Sequence, residues 1–429
     1  MHAISELSAA SVTADFTPSA DWPDWFQFAQ SQAWDDFQSL PTPTRKDETW
    51  RYSRLKVLDL SPFHLAKPIQ DAASVIQRSN GLEATSGRLI FGNNVLLHKE
   101  ATSLPEGVIF LPLHEAVVSH PDLVKEYFMR EEVKLGSAKY AALHRAHVQN
   151  GTFLYVPKNT QVELPIEIFH WVEGENASVF PHTLIICEEN SQVTLVDHFQ
   201  STDNLPAFAC AISDLHLKQG AILHYGAVQE WSEETLAFHL NSTIVARDAT
   251  AQGLSVQIGG SYIRTESLSR LEGEGGRSDM LSVCPAVGKQ FFDQRTFQEH
   301  AKPHTTSDLL YLNALDDASQ AIFSGLIRAD EGSHFIDGYQ KVRNLLLSSD
   351  AASYSLPGLE ILADRVRCTH GATSGSINEE QLFYLRARGI PIEKARRLIA
   401  LGFFQDVFRR VTLPALKEYL ENLVTKKIG

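Results

Sequence analysis

From about Gly151 to Cys368 the chain is a succession of short apolar runs, with no helix-length pattern between them over about two hundred residues. Thr152-Phe-Leu-Tyr-Val, Val162-Glu-Leu-Pro-Ile-Glu-Ile, Thr183-Leu-Ile-Ile-Cys, Gln192-Val-Thr-Leu-Val, Ala221-Ile-Leu-His-Tyr, Gly253-Leu-Ser-Val-Gln-Ile and Leu309-Leu-Tyr-Leu are all rich in β-formers. Small or polar pairs precede strands at Asn190-Ser191, Gln219-Gly220, Ala249-Thr250, Gly275-Gly276 and His304-Thr305, and their second members are 29, 30, 26 and 29 residues apart. An interval of that size is one coil of a solenoid carrying two or three strands. The leucine/asparagine signature of a leucine-rich repeat is missing, and a propeller blade is longer. A mainly β chain built on a parallel β-helix fits best; a large β-sandwich with evenly spaced turns is the alternative.

Composition narrows the class. At 429 residues the chain exceeds one ordinary core, so two or three domains are expected unless one is a repeat fold. A net charge of −14 repels a phosphate backbone, which argues against a nucleic-acid partner. No run approaches the roughly eighteen apolar residues of a membrane span. The opening Met1-His-Ala-Ile-Ser-Glu6 has neither the basic start and apolar run of a secretion signal nor an arginine-rich look, so a cytoplasmic protein is expected. Cys187, Cys210, Cys284 and Cys368 are scattered, without zinc-finger or C-x-x-C spacing, as suits a reducing compartment.

Three regions are expected: a mixed, helix-containing domain over 1–150, the β-helix over 151–370, and a helical domain over 371–429. In the first, Asp21-Trp-Pro-Asp-Trp-Phe-Gln-Phe-Ala-Gln reads as an amphipathic helix opened by a proline. A second helical stretch is expected over roughly His114 to His147, with His144 and His147 as surface residues and no third ligand near them. In the last region, Ser376-Ile-Asn-Glu379 has the form of a capping box, Gly389 a stop, and Pro391 the start of the next helix. The excess apolar surface there either closes the open end of the solenoid or docks a partner.

Chemistry is sparse. Walker-loop, nucleophile-elbow and zinc-protease motifs are absent, and Gly273-Glu-Gly-Gly-Arg reads as a turn. Asp293-Gln-Arg295 and Asp316-Asp317 are the nearest approach to an acid/base cluster and read as solvated turn residues. Cys368-Thr-His-Gly-Ala-Thr, where strand texture gives way to helix, is the sharper candidate. In a strand, residues i and i+2 share a face, so Cys368 and His370 point together. Sulfur with imidazole suits iron, zinc or copper(I), but a metal site needs further ligands, from elsewhere in the chain or from another protein. The bland alternative is a buried apolar thiol and a turn histidine.

Three stretches resemble the SufB/SufD family of iron–sulfur cluster assembly proteins. They are Pro43-Thr-Arg-Lys-Asp-Glu-Thr-Trp-Arg-Tyr-Ser-Arg-Leu, Asn344-Leu-Leu-Leu-Ser-Ser-Asp with Pro357-Gly-Leu-Glu-Ile-Leu-Ala-Asp-Arg-Val-Arg-Cys368, and Cys368 through Ile390. The chain is more similar to SufD, because SufB-type chains carry glutamate-histidine-glutamate where this one reads Thr369-His-Gly. The resemblance implies a right-handed parallel β-helix flanked by helices, and a non-enzymatic scaffold role in a complex with a SufB-like β-helix protein and two copies of the SufC-like ABC-type ATPase. It implies docking of the ATPase through roughly Ser376 to Phe408, with Glu379, Leu382, Phe383, Leu385, Leu398 and Phe403 as the contact residues. It also implies pairing of the two β-helices through strand edges, and a nascent iron–sulfur cluster at their interface. His370 is the motif-matched ligand and Cys368 the second, with buried packing still open for Cys368. Reduced FAD at the level of the complex, a cysteine desulfurase or sulfur carrier, and a homodimer of the isolated chain belong to the same set of expectations. The rival classes are a β-helix carbohydrate-active enzyme, which would need clustered aspartates on one face, and a structural adaptor that never meets metal.

Overall fold

The computed structural model describes residues 11–428, so the opening Met1–Glu6 segment read above lies outside it. The N-terminal region contributes helix α1 (Asp24–Ser39), strand β1 (His64–Leu65), α2 (Ala72–Arg78), β2 (Gly87–Gly92), β3 (Val95–Ala101), β4 (Ile109–Pro112), α3 (Leu113–Ser119), α4 (Pro121–Tyr127) and α5 (Ala138–His147). The strand region follows as β5 (Thr152–Val156), β6 (Ile166–Val172), β7 (Ala177–Val179), β8 (His182–Cys187), β9 (Gln192–Ser201), β10 (Ala207–Leu217), β11 (Ile222–Glu230), β12 (Thr235–Val245) and β13 (Thr250–Gln257). It continues with β14 (Tyr262–Leu271), β15 (Arg277–Ala286), β16 (Phe291–His300), β17 (Thr306–Leu315), β18 (Gln320–Ala329), β19 (Asp337–Leu346), β20 (Ala352–Ile361) and β21 (Arg367–Ser376). Three helices end the chain: α6 (Glu379–Ala387), α7 (Ile392–Phe408) and α8 (Pro414–Lys427).

These strands alternate between two parallel sheets. One runs β20-β18-β16-β14-β12-β10-β8-β5 and the other β21-β19-β17-β15-β13-β11-β9-β6, which makes a β-solenoid of eight coils. The expected period has a visible cause. One residue per coil adopts a left-handed conformation at the same corner: Asn159, Asn190, Gly220, Asp248, Gly275, His304, Phe335 and Arg365. At most of these corners the amide of that residue donates to a carbonyl one coil further on, as from Asn190 to Gln219 (2.9 Å), Gly220 to Arg247 (2.9 Å) and His304 to His334 (3.0 Å). Asn, Asp and Gly tolerate this conformation best, which is why the corners read as small or polar pairs.

Alternate strand residues point inward and outward. The inward set of the first coils is apolar, including Leu195, Phe199, Leu223, Ala237 and Ile263, and packs across the bore between the sheets. The outward face of the first sheet is buried beneath the N-terminal region, where Trp50, Tyr140 and Leu143 meet Phe208, Phe238, Tyr262 and Phe291. The outward face of the second sheet carries Val196, Val228, Val256, Val283 and Leu312. The C-terminal helices cover it with Ala395, Phe404, Phe408, Leu416, Leu420 and Val424. Burying each of the larger side chains among these contributes about 1.5–3 kcal/mol, so the C-terminal helices are bound to the flank of the solenoid. They do not close its end, which corrects one of the two uses expected for them.

Several local expectations are corrected. The stretch His114–His147 forms three short helices, because Pro121 opens α4 and the segment ending at Gly136 (φ 116°) breaks before α5. His144 and His147 are buried, not surface residues. His144 donates through Nδ1 to the Cys210 carbonyl (2.7 Å), and its Nε2 meets His182 Nδ1 at 3.1 Å, a near neighbour the sequence did not disclose. The cap of α6 is Asn378, which accepts from the Glu380 and Gln381 amides, because Ser376 still belongs to β21.

Candidate functional site

The two ends of the solenoid differ. At the N-terminal end antiparallel strands finish both sheets, β4 against β5 and β3 against β2. At the C-terminal end β20 pairs only with β18, and β21 only with β19. Each terminal strand therefore presents a row of unpaired main-chain groups, the feature that templates strand addition.

Cys368 and His370 lie on β21, near its start, not at a boundary between strand and helix. Their register partners are Gly338 and Gln340, and further along Ala372 pairs with Val342 and Ser374 with Asn344. Val342 packs with Tyr311 and Phe323 from both sheets, so this row faces the bore. The expected shared face is therefore present, and it is the inner face of the last coil. With no further coil beyond it, His370 is exposed and Cys368 half-buried. Partial burial pushes the Cys368 thiol up from its ordinary value, with Asp337 adding to the shift and a Gly338 backbone hydrogen bond opposing it. Cys187, Cys210 and Cys284 are fully buried, and burial raises each of their thiols, Cys187 to about 12. Cys368 is thus the one cysteine placed to meet a metal or an electrophile. Among the described residues, no three His, Cys, Asp or Glu side chains converge as a metal site. Two donors at a mouth, with no third among the described residues, do not by themselves make a metal site.

Of the six expected docking residues, Leu382 is buried against the helical cluster, and Leu385 and Phe403 pack on it. Glu379, Phe383 and Leu398 face solvent, beside exposed Tyr384 and Ile392.

Two buried polar constellations escaped the sequence reading. Inside the bore, Asp197 accepts from Thr183 (2.7 Å) and Tyr225 (2.9 Å) and lies 3.3 Å from His170 Nε2. Tyr225 connects through Ser213 to His239. Burial alone would raise the Asp197 carboxyl, but these partners hold it below its ordinary value. On the outer face of the first sheet, Asp293 and Arg295 are not solvated turn residues. They form a buried cluster in which Arg264 meets Asp293 (2.7 Å) and Glu266 (2.7 Å), and Arg295 meets Asp293 (2.6 Å). Burial again opposes the Asp293 charge, and the two guanidiniums overcome it. The signal lay in the period: Arg264-Thr-Glu266 stands one coil before Asp293-Gln-Arg295, in register and with the charges reversed.

Residues 170–403 match the SufBD core domain of the SUF system of FeS cluster assembly, and residues 20–168 match the SufBD protein N-terminal region. The chain belongs to the SufBD family. It is 29% identical over 428 residues to the iron–sulfur cluster assembly protein SufD of Bacillus subtilis (strain 168), covering 96% of both chains. With SufD of Escherichia coli (strain K12) it shares 27% over 400 residues, covering 88% of this chain and 87% of that one. Similarity to SufB of Bacillus subtilis is 26% over 328 residues, 75% of this chain and 70% of its length. Likeness to SufD therefore runs nearly end to end, as the Thr369-His-Gly motif suggested. Asp293, one of the carboxylates nearest to an acid/base cluster in the sequence, is paired with two arginines beneath the segment that carries Ser53. No helix of the described chain is long and apolar enough to cross a membrane.

Proposed function

We propose that this chain is the SufD-type scaffold half of a cytoplasmic pair of β-solenoids on which an iron–sulfur cluster is assembled. The single observation that carries the reading is the incomplete donor pair, Cys368 and His370, at a bore mouth flanked by two unpaired strand edges. A SufB-like solenoid adds its terminal strands to β20 and β21 by main-chain hydrogen bonding and brings the remaining ligands. His370, exposed and unencumbered, is the first ligand to the nascent cluster and Cys368 the second; the cluster is cargo, with sulfur delivered by a cysteine desulfurase or carrier.

The SufC-like ATPase docks on the outward side of α6 and α7, at Phe383 and Leu398 with Glu379 beside them. Charged contacts couple that surface to the last coils: Arg343 on β19 meets Asp406 (2.8 Å), Arg410 meets Asp308 on β17 (2.8 Å), and Arg396 meets Asp316 (3.5 Å). Closure of two nucleotide-bound ATPase subunits pulls on these helices, and the load reaches the strands that carry the donors. The partner hydrolyses ATP while this chain transmits the motion.

The test is His370→Ala in the complex purified anaerobically from cells. Subunit assembly and ATPase docking should survive while iron and sulfide are lost. Retention of a normal iron and sulfide content in that variant would remove the ligand role.

A further inference from the structure

The N-terminal segment Thr49–Arg54 crosses the outer face of the first sheet and is held there by the buried charge cluster. Arg264 donates to the Thr49 carbonyl (2.9 Å), Arg295 to the Arg51 carbonyl (3.1 Å), and the Ser53 hydroxyl bonds Asp293. Trp50 is buried under the Arg264 guanidinium, 3.7 Å from its ring, and donates to the Gly136 carbonyl (2.9 Å). Between these anchors Tyr52 has a φ of 68°, a left-handed conformation that a bulky aromatic residue disfavours. Strain of this kind persists only where the surroundings over-determine it, and here both neighbours of Tyr52 are clamped.

What the strained residue does is deliver its ring to the open end. Tyr52 stacks on Tyr354 of β20, with centroids 5.2 Å apart and planes 8° from parallel, and the two residues remain 52% and 43% exposed. Tyr354 sits on the terminal strand itself, one coil beyond its register partner Ile322. The half-exposed pair therefore borders the unpaired main-chain edge, and on the opposite, bore-facing side of the same strand Leu359 and Ile361 are also exposed. An occupant of that edge must satisfy main-chain groups and cover aromatic surface together. A second solenoid offering its own terminal strand does both.

We propose that Tyr52 and Tyr354 form an aromatic anchor for the sister solenoid, with Tyr52 supplied from the N-terminal region to an interface otherwise built of β20 and β21. Paired, rigid tyrosines at an interface centre carry a disproportionate share of affinity. This rests on the reading that β20 and β21 are the pairing edge.

The test uses the full chain and a SufB-type partner, with Tyr52→Ala, Tyr354→Ala, the double variant and Tyr52→Phe. Each alanine variant should weaken pairing about tenfold. The double variant should be little weaker than either single one, since the rings act as a unit, and Tyr52→Phe should bind as the parent does. Hydrogen exchange across 352–376 on mixing separates the two levels. If the edge becomes protected but the alanine variants pair within twofold of the parent, the anchor is wrong and edge pairing stands. If the parent shows no protection there, both fall. If the variants impair only self-association of the isolated chain, the assigned occupant is wrong. Tyr52 and Tyr354 lie on separate elements, so a folding defect in one variant leaves the other as a test.

Discussion

Single residues in this protein are valued by what surrounds them. Asp293 would be costly to bury alone; between Arg264, Arg295, Tyr262 and Ser53 it becomes the point at which sheet and N-terminal segment are joined. Removing one partner of such a cluster leaves uncompensated charge away from water, at a cost of about 3–5 kcal/mol. Asp293→Asn should therefore lower the denaturant midpoint by a corresponding amount and free the Thr49–Arg54 segment to proteolysis. An unchanged midpoint with an intact segment would show that the cluster is not the fastening. Cys368 is a contrasting case. It is the one thiol that the eight coils leave half-open.

At the scale of elements, ends decide more than middles. Helix α6 begins at Glu379, capped by Asn378, because the strand before it runs to Ser376, leaving two residues to turn the chain. The Asn378 side chain accepts from Glu380 (2.8 Å) and Gln381 (3.2 Å), satisfying two amides that the helix cannot pair for itself. Asn378→Ala should cost about 1 kcal/mol locally, seen as faster hydrogen exchange of those two amides and weaker ATPase docking, with the solenoid melting point unmoved. If exchange at those two amides stays as slow as in the parent, the cap has been misassigned. The strands follow the same logic: what sets β20 and β21 apart in the sheets is a missing neighbour.

At the scale of the whole molecule, two helical layers, two sheets and a bore bury many titratable groups in their neutral form. Burial lowers His144 to about 3, with His182 contributing to that shift, and lowers His239 and His300 to about 4. Burial likewise lowers His147 and His216, against the pull of their hydrogen-bonding or acidic neighbours. Their unfolded value is near 6.5, so the unfolded chain binds more protons below that pH and stability must fall as pH falls. The contribution is complete above about 6.5 and is lost progressively towards 4. Asp197, Asp214 and Asp293, held below the usual carboxylate range, extend the loss to lower pH. Thermal midpoints should thus drop steadily from pH 6.5 to 4, with proton uptake on unfolding. A flat profile over that interval would mean that these histidines are hydrated in the folded state.

The coil period, the parallel β architecture and the flanking helices were legible in the chain because a solenoid repeats one local decision, a left-handed corner, at nearly fixed spacing. The signal faded at the last two corners, filled by Phe335 and Arg365, residues that do not advertise the conformation. The shared face of Cys368 and His370 was legible for a similar reason, since strand periodicity dictates it. What tertiary structure alone decided is which groups are solvated and which strand lacks a neighbour. Burial of His144, the Arg264–Asp293 cluster and the stacking of Tyr52 on Tyr354 join residues from distant parts of the chain. Local propensity carries no information about such pairs; only packing of the N-terminal region onto the sheets brings them together.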